Sequence, residues 1–211
     1  MNTLQGRRRF AVVNRIVDEI SVCLEHECFI AALSLALTLP DICGKAEFPC
    51  DSVTKRYIQW YNEHIGQYEI PNLKGADDMP YPSGEVVYNL RNSMLHQGTP
   101  NIDAKQVKQE SCKVDHFTLL IADVSDGGSS SVSVKENGDY TNRSLSVNAV
   151  NLCFKLCSVA KSYYNDNKEK FDFFEYDIDD RREKDADIWK PKSEDEIKEL
   201  LNQVVASLKA E

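Results

Sequence analysis

The sequence predicts a mainly α-helical fold, in which a helical bundle carries an inserted β-hairpin and ends in an amphipathic helix. Apolar residues recur at helical spacing over most of the first 100 residues and in two later segments. Over residues 116–136 the apolar period changes to two, which is typical of strands. We therefore divide the chain into a helical domain, residues 1–165, and an acidic connector with a C-terminal helix, residues 166–211.

The first three helices are predicted from apolar spacing and from signals at their ends. One helix is expected over residues 7–25, and a nearly all-apolar second helix is expected to end at Pro40. A third is expected to begin at a cap on Asp51 or Ser52 and to stop at Gly66. Its aromatic side chains are interpreted as core rather than as a platform for stacking bases: Tyr57, Trp60 and Tyr61.

A long loop precedes the fourth predicted helix, which is expected to open after Ser83 and close at Gly98. The loop, residues 67–82, is rich in Pro, Gly and Asp, and loops of this length inside a compact domain are often functional. Asp78 and Tyr81 are therefore candidates to line a pocket beside the helix and to bind substrate there.

The second half of the domain predicts two strands followed by another helix. Alternation begins at Phe117, and a turn at residues 126–128 is expected to join the two strands as a hairpin. A third short strand is a further possibility after Asn137-Gly138. A long helix is then expected from about Ser146 to Asn165.

The C-terminal part is predicted to contain a solvated connector and one helix. Residues 166–187 hold ten acidic residues against five basic ones, which favours exposure to solvent. The pair Ser193 and Glu196 has the spacing of a capping box, and an amphipathic pattern follows it. That helix is expected to dock on the body of the protein or on a partner chain.

Composition indicates an ordinary globular protein located in the cytoplasm. Of 211 residues, 42% are hydrophobic and 28% are charged, and the formal net charge is −9. The most apolar run, Cys28 to Leu39, is shorter than the roughly 20 residues that a bilayer span requires. The net charge argues against broad, sequence-blind binding to nucleic acid but allows a small site for a few phosphates. The basic clusters Arg7–Arg9 and Lys55-Arg56 are interpreted as solvated faces.

The seven cysteines are interpreted as reduced thiols, because their number is odd and no C-x-x-C pair occurs. A zinc site can be imagined near the N-terminus, but its spacings do not resemble those of zinc knuckles. Its ligands would be Cys23, His26, Cys28, Cys43 and Cys50. We therefore expect neither a metal nor a cofactor.

Arg91 is the most informative residue, because it projects from the middle of the apolar arc of the fourth helix. That arc follows from a turn of about 100° per residue. It contains Val86, Val87, Tyr88, Leu90, Met94 and Leu95, whereas Glu85, Asn89, Asn92 and His96 form a polar stripe opposite. A guanidinium is seldom placed among apolar neighbours without an anion, an interface or a cleft to receive it. The alternative is an internal tether from Arg91 to Asp77, Asp78 or another buried acid.

The residues that follow Arg91 suit acid–base chemistry on a phosphate. Asn92 and His96 are four residues apart, so Asn92 is expected to hold a ring nitrogen of His96. Arg91 and His96 lie roughly 140° apart around a straight helix. Both reach one ligand only if Arg91 bends round, the last turn unwinds, or a second subunit completes the site. Glu85, earlier on the polar stripe, is a weaker candidate for contact with substrate.

The run Arg91-Asn92-x-x-x-His96 near the end of a helix resembles the motif of the HEPN superfamily. Members are typically helical bundles that dimerise so that two such motifs face each other in a cleft. Many are metal-independent ribonucleases of toxin–antitoxin, defence and RNA-processing systems. The resemblance covers residues 7 to about 165 and implies catalytic roles for Arg91, Asn92 and His96.

Three functions are consistent with these observations. The leading hypothesis is a HEPN-like homodimer that cleaves RNA without a metal, in a defence or toxin–antitoxin setting with a neutralising protein partner. The second is a non-catalytic HEPN-like module that binds a nucleotide, RNA or a protein. The third is a structural protein without a ligand, and a buried pair between Arg91 and an aspartate would favour it.

Overall fold

The computed structural model describes residues 12–72, 79–108, 113–136, 138 and 140–173, which form a mainly helical fold with a small sheet. Six α-helices lie in this part of the chain: α1 (Val12–Glu25), α2 (Phe29–Ala36), α3 (Leu39–Glu47), α4 (Val53–His64), α5 (Gly84–Gln97) and α6 (Ala149–Asp166). The same residues include three strands: β1 (His116–Leu120), β2 (Gly128–Val134) and β3 (Tyr140–Asn148). The predicted fold class is therefore confirmed at the level of a helical protein with a small sheet.

The chain divides into two compact units, Met1–Glu175 and Tyr176–Glu211. All described residues belong to the first unit. The predicted C-terminal helix and most of the acidic connector lie outside the described residues, so the boundary at residue 165 stays a prediction.

Pro40 begins a helix instead of ending one. It lies in the first turn of α3, where its missing N–H costs no hydrogen bond and its fixed φ suits the helix. The apolar run is broken earlier, between Ala36 and Leu39. The predicted stop at Pro40 is therefore wrong: α2 ends at Ala36, and the sequence did not predict α3, which contributes Asp41 to the region around Arg91.

The ends of α4 and α5 agree with their predicted signals. The side chain of Ser52 caps α4 by accepting from the backbone N–H of Lys55 at 3.4 Å. Ser83 caps α5 in the same way. Gly98 closes α5 in the left-handed conformation, with φ of 66°, which favours glycine. The bounds of the helix that carries Arg91 are thus fixed by local chemistry.

The core lies between the helices and is lined by the aromatic side chains of α4. Tyr57, Trp60 and Tyr61 are fully buried, which confirms their interpretation as core. The stretch Phe29–Glu47 is apolar and long enough to pass a length test for a membrane span. Half of that window is buried inside the fold, as in the core helix of a globular protein, so this is weak support for a membrane span.

The sheet differs from the predicted hairpin in its pairing. β3 lies between the other two strands, parallel to β1 and antiparallel to β2. The hairpin is therefore formed by β2 and β3, and the turn at residues 126–128 joins two strands that do not pair. Helix α6 begins at Ala149 rather than Ser146, because the alternation of buried Leu145 and Val147 keeps the chain in β3.

Asn148 joins the sheet to the last helix and is completely buried. Its Oδ1 accepts from the backbone N–H groups of Ala122 and Val150, at 3.3 and 3.0 Å. Its Nδ2 donates to the carbonyls of Asp123 and Asp126, at 2.7 and 2.8 Å. One side chain therefore connects the end of β3, the loop after β1 and the first turn of α6.

Candidate functional site

Arg91 and His96 meet because the arginine side chain bends round an intact helix. Helix α5 continues to Gln97, so the last turn does not unwind. Nη1 of Arg91 lies 3.2 Å from Nε2 of His96. Of the routes considered from the sequence, the structure shows the one in which a single chain brings both groups together.

Asn92 contacts Arg91 instead of His96. Its Oδ1 accepts from Nη1 of Arg91 at 3.0 Å. In the described part of the chain it makes no hydrogen bond to His96, so the expected contact between these two residues is wrong. The amide holds the guanidinium in its bent position, and the same Nη1 reaches both Asn92 and His96.

The contact between Arg91 and His96 determines which ring nitrogen holds the proton. A guanidinium has donors and no acceptor, so Nε2 of His96 must accept. In this arrangement the imidazole is therefore neutral and its proton is on Nδ1. His96 is exposed to solvent, whereas Arg91 is half-buried. An anion approaching from solvent would meet the imidazole and the Nη1 side of Arg91 at the same place.

The other side of the Arg91 guanidinium is paired with Asp41, an acid that the sequence did not single out. Nη2 lies 2.9 Å from Oδ2 of Asp41 on α3, and the two side chains are 18% and 16% exposed. Burial raises the pKa of Asp41 above its usual value, although Arg91 and, after it, Arg56 act in the opposite direction. An internal tether for Arg91 therefore exists, with Asp41 as the acid.

Arg56 on α4 is the second cation near Asp41. Its positive charge acts to lower the pKa of that carboxyl, and its Cγ lies 3.5 Å from where a Cβ on Gly44 of α3 would stand. Arg56 is half-buried, and its Nε is buried without a hydrogen-bond partner among the described residues. The interpretation of Lys55-Arg56 as a solvated face is therefore wrong for Arg56 and correct for the exposed Lys55. We call the group Asp41, Arg56, Arg91, Asn92 and His96 the Arg91 site.

Tyr57 of α4 packs beside the Arg91 site. Tyr57 is fully buried and donates its hydroxyl to the carbonyl of Leu37 at 3.2 Å. Burial raises the pKa of Tyr57 well above its usual value, and nearby Asp41 raises it further. Its ring packs edge-on against Tyr88 of α5 at 5.1 Å. Tyr57 therefore stays protonated and fixes the spacing of α4 and α5 where Arg91 emerges.

Of the three predicted substrate contacts, Glu85 lies away from His96, Tyr81 packs on the core and Asp78 lies outside the described residues. Glu85 is in the first turn of α5, and its carboxylate accepts from the backbone N–H of Lys108 at 3.0 Å. It lies 11 residues before His96, about 16 Å along the helix axis. Tyr81 packs against the hydrophobic core before α5 begins. Asp78 lies outside the described residues, and so does Asp77.

The predicted arc and stripe of α5 need two corrections. Asn89 was placed on the polar stripe but is buried, and its side chain donates to the carbonyl of Glu85 at 3.0 Å. Leu95 was placed on the apolar arc but is 38% exposed. The buried face of α5 is therefore rotated towards Asn89, and this rotation brings Arg91 to the edge of the core, where it reaches Asp41.

A second polar region lies in a groove of about 560 Å³ beside α6. We call it the Glu47 groove. The hydroxyl of Tyr163 donates to the Glu47 carboxylate, and Lys170 lies 3.5 Å from it. His64 packs against the rings of Trp60 and Tyr163 at 4.9 and 5.2 Å. Burial lowers the pKa of His64, so its imidazole is neutral at pH 7.

In the part of the chain that the structure describes, no three His, Cys, Asp or Glu side chains group closely enough to hold a metal ion. The described members of the imagined zinc site include buried Cys43 and exposed Cys28 and Cys50, which are free thiols.

The arrangement at the Arg91 site provides a fixed cation and a neutral base, and proton transfer on a phosphate ester needs both.

Comparison of the chain with models of known protein families, with curated proteins and with solved structures gave no match.

Proposed function

We propose that this chain is a metal-independent endoribonuclease of the HEPN type, acting as a homodimer in the cytoplasm. The observation that carries the proposal is the contact at 3.2 Å between Nη1 of Arg91 and Nε2 of the exposed His96. Asp41 holds the opposite side of the guanidinium at 2.9 Å. A fixed cation and a neutral imidazole thus share one place that is open to solvent.

The reaction needs no group from outside the RNA and the protein. The 2′-hydroxyl oxygen attacks the adjacent phosphorus while its proton passes to a base. The bond from phosphorus to the 5′-oxygen breaks, and that oxygen takes a proton from an acid. The products are a 2′,3′-cyclic phosphate and a 5′-hydroxyl.

Each residue of the Arg91 site has a role that follows from its contacts. The phosphate oxygens attract Nη1 of Arg91 away from His96, and this frees the lone pair of Nε2 to accept the proton of the 2′-hydroxyl. Arg91 then stabilises the charge that builds on the phosphate oxygens. Asn92 and Asp41 are positioning residues, because both act on the guanidinium and neither needs to touch RNA.

A second copy of the chain completes the acid–base pair. One imidazole cannot stand on both sides of the phosphorus in one step, so base and acid require two. In a homodimer whose motifs face each other, His96 of the second copy is the acid: it starts as the imidazolium, gives its proton to the leaving oxygen and ends neutral, while the base imidazole ends protonated. A nuclease of this kind needs restraint, so we place it in a defence or toxin–antitoxin system with a protein antitoxin as partner.

The test measures cleavage of a labelled single-stranded RNA in EDTA by wild type, Arg91→Ala and His96→Ala. We expect the wild type to release fragments with a 5′-hydroxyl and a 2′,3′-cyclic phosphate. Loss of His96 is expected to slow cleavage by about 10²- to 10⁴-fold, the usual contribution of general acid–base catalysis. Circular dichroism and light scattering check that both variants fold and assemble like the wild type.

Gln97→Ala is the matched control, since Gln97 is an exposed residue in the same last turn of α5. It should cleave at the wild-type rate. The proposal fails if the wild type does not cut RNA in EDTA, or if Arg91→Ala and His96→Ala both cut as fast as Gln97→Ala.

A second candidate function is a non-catalytic HEPN-like module that binds a nucleotide, RNA or a protein partner. The ion pair of Arg91 with Asp41 favours it, and it also favours a structural protein without a ligand, because it gives the arginine a partner that needs no reaction. Titration of wild type with nucleotides and with short RNA separates the two functions. Binding that depends on Arg91, with RNA recovered uncut, supports the second function and contradicts the first.

A further inference from the structure

The Arg91 site carries an excess of positive charge. The guanidinium of Arg91 is paired with the carboxylate of Asp41 at 2.9 Å, and Arg56, whose stem packs on α3 at Gly44, has no ion pair among the described residues. One carboxylate neutralises one of the two guanidiniums, so the other charge is left over. The whole chain has a formal net charge of −9, so this local excess marks a place where an anion is attracted to an otherwise acidic protein.

The packing of α3 against α4 holds Arg56 beside Asp41. A Cβ atom on Gly44 would lie 2.7 Å from the backbone oxygen of Arg56, too close for any larger residue without a shift. The same Cβ would lie 3.5 Å from Cγ of Arg56, so the arginine stem passes over the glycine. Asp41 is three residues before Gly44, on the same side of α3.

The guanidinium of Arg56 has no acid of its own within the described ranges. It forms no ion pair or hydrogen bond there, and its Nε is buried without an acceptor. Its neighbour Lys55 differs, since Nζ of Lys55 lies 2.8 Å from Oδ1 of Asp51 and its side chain is 64% exposed. A half-buried guanidinium that lacks an acceptor suits a ligand that brings its own negative charge.

We propose that Arg56 is a second phosphate-binding residue of the Arg91 site, so that the site takes two neighbouring phosphates of a single strand. The inference rests on the proposed function, because it assumes that the phosphate to be cleaved lies at Arg91 and His96. Arg56 binds the next phosphate along the strand. The preferred ligand is thus an oligonucleotide with several phosphates and not a mononucleotide or dinucleotide.

The test measures binding of 2′-O-methyl oligonucleotides, which lack the nucleophile and cannot be cut, by the full chain. One probe carries a single phosphodiester and the other carries three. We expect Arg56→Gln to weaken binding of the longer probe about tenfold, as expected for the loss of a charge-assisted hydrogen bond. Binding of the shorter probe should change less than about twofold. The slope of log affinity against log salt for the longer probe should fall by about 0.7, the value for one phosphate contact on a single strand.

Lys55→Gln is the matched control, because it removes the same charge from the adjacent residue and should leave both the affinity and the slope unchanged. Arg56→Lys keeps the charge, so it should keep the slope while losing part of the affinity. The inference is overturned if Arg56→Gln behaves like Lys55→Gln while it melts at the wild-type temperature. If Arg56→Gln is unfolded, wild-type affinity of Arg56→Lys for the longer probe overturns it instead.

The failure of this inference differs from the failure of the proposed function. If Arg56 is irrelevant, wild type still cuts RNA and still depends on Arg91 and His96. If the proposed function is wrong, wild type does not cut RNA in EDTA, and this inference falls with it when wild type also shows no Arg91-dependent binding of the longer probe.

Discussion

The Arg91 site and the Glu47 groove are built from similar side chains, and both use α3 and α4. Each contains a carboxylate on α3, a histidine and at least one cation. In the groove, Glu47 accepts from Tyr163 and lies close to Lys170, and Asp166 adds a second acid to the lining. At the Arg91 site, Asp41 is paired with Arg91, and Arg56 has no ion pair within the described residues.

The two histidines differ in their exposure to solvent and in the groups that they contact. His64 packs between aromatic rings, and its lowered pKa keeps it neutral inside the fold. His96 is exposed and touches a guanidinium that an anion can draw away. A groove lined with titratable residues therefore indicates an anion-binding site less directly than a surface on which a positive charge remains unpaired. The following experiments, ordered from the largest expected effect to the smallest, test this difference.

The largest effect is expected from pairing Arg91→Ala with Asp41→Asn. Arg91→Ala removes the ion-pair partner of Asp41 and leaves only the weaker effect of Arg56, which should lower the free energy of unfolding by about 2 kcal/mol, less than for a fully buried pair because both side chains are partly exposed. Adding Asp41→Asn should restore most of this stability, but it should not restore RNA cleavage. Urea titration and the cleavage assay measure the two effects. Cleavage restored together with stability would show that Arg91 serves only the fold.

A larger residue at Gly44 should disturb the packing of α3 against α4, on which the Arg91 site depends. Gly44→Ala forces α3 and α4 apart, because the new Cβ would meet the Arg56 carbonyl. We expect a loss of about 1–3 kcal/mol in the free energy of unfolding, typical of overpacking. Gly127→Ala is the control, since nothing lies within 4 Å of its added Cβ. Thermal melts compare the two, and equal stability would show that α3 and α4 do not pack this closely in solution.

The Glu47 groove should respond to acid through His64. Burial lowers its pKa in the folded chain, against the opposing effect of Glu47 and Glu63 and with the aid of Lys170. Below about pH 6.5, the unfolded chain binds a proton that the folded chain resists. The contribution of His64 to stability is thus fully present above that pH and is lost as the pH falls further.

Urea midpoints measured between pH 8 and pH 5 test this expectation. The decline towards pH 5 should be less steep in His64→Gln than in the wild type, and the same substitution at exposed His26 is the control. An identical decline in His64→Gln and wild type would contradict a neutral, buried His64.

The smallest effect is expected at Lys55, whose ion pair with Asp51 is largely exposed. Lys55→Ala should change the free energy of unfolding by less than about 0.5 kcal/mol. Chemical denaturation of this variant sets the baseline for the Arg56 variants. A change above 1 kcal/mol would mean that Lys55 is held in the structure more tightly than its exposure indicates.

The parts of the fold that local chemistry determines could be predicted from the sequence. Ser52, Ser83 and Gly98 lie where caps and helix ends were expected. Pro40 was misjudged because a proline is common both after one helix and in the first turn of the next. The central position of β3 could not be predicted, since strand order depends on pairing between distant segments.

The candidate site also contains residues that could be predicted from local spacing and residues that only tertiary packing brings together. Arg91, Asn92 and His96 belong to one helix, so the sequence places them in one region, but it paired Asn92 with His96, whereas Asn92 contacts Arg91. Asp41 and Arg56 come from other helices, and only the packing of α3 and α4 brings them there. The bend of the Arg91 side chain towards His96 was one of three options, and nothing in the sequence selected it.

The buried amide of Asn148 has a consequence for how the domain unfolds. It connects the end of β3, the loop after β1 and the first turn of α6 through four hydrogen bonds. Opening the end of β3 leaves this amide and its four partners without bonds, and fraying of the first turn of α6 removes the bond from Val150. The strands and the final helix should thus exchange their amide hydrogens for deuterium at matched rates, as a single cooperative block.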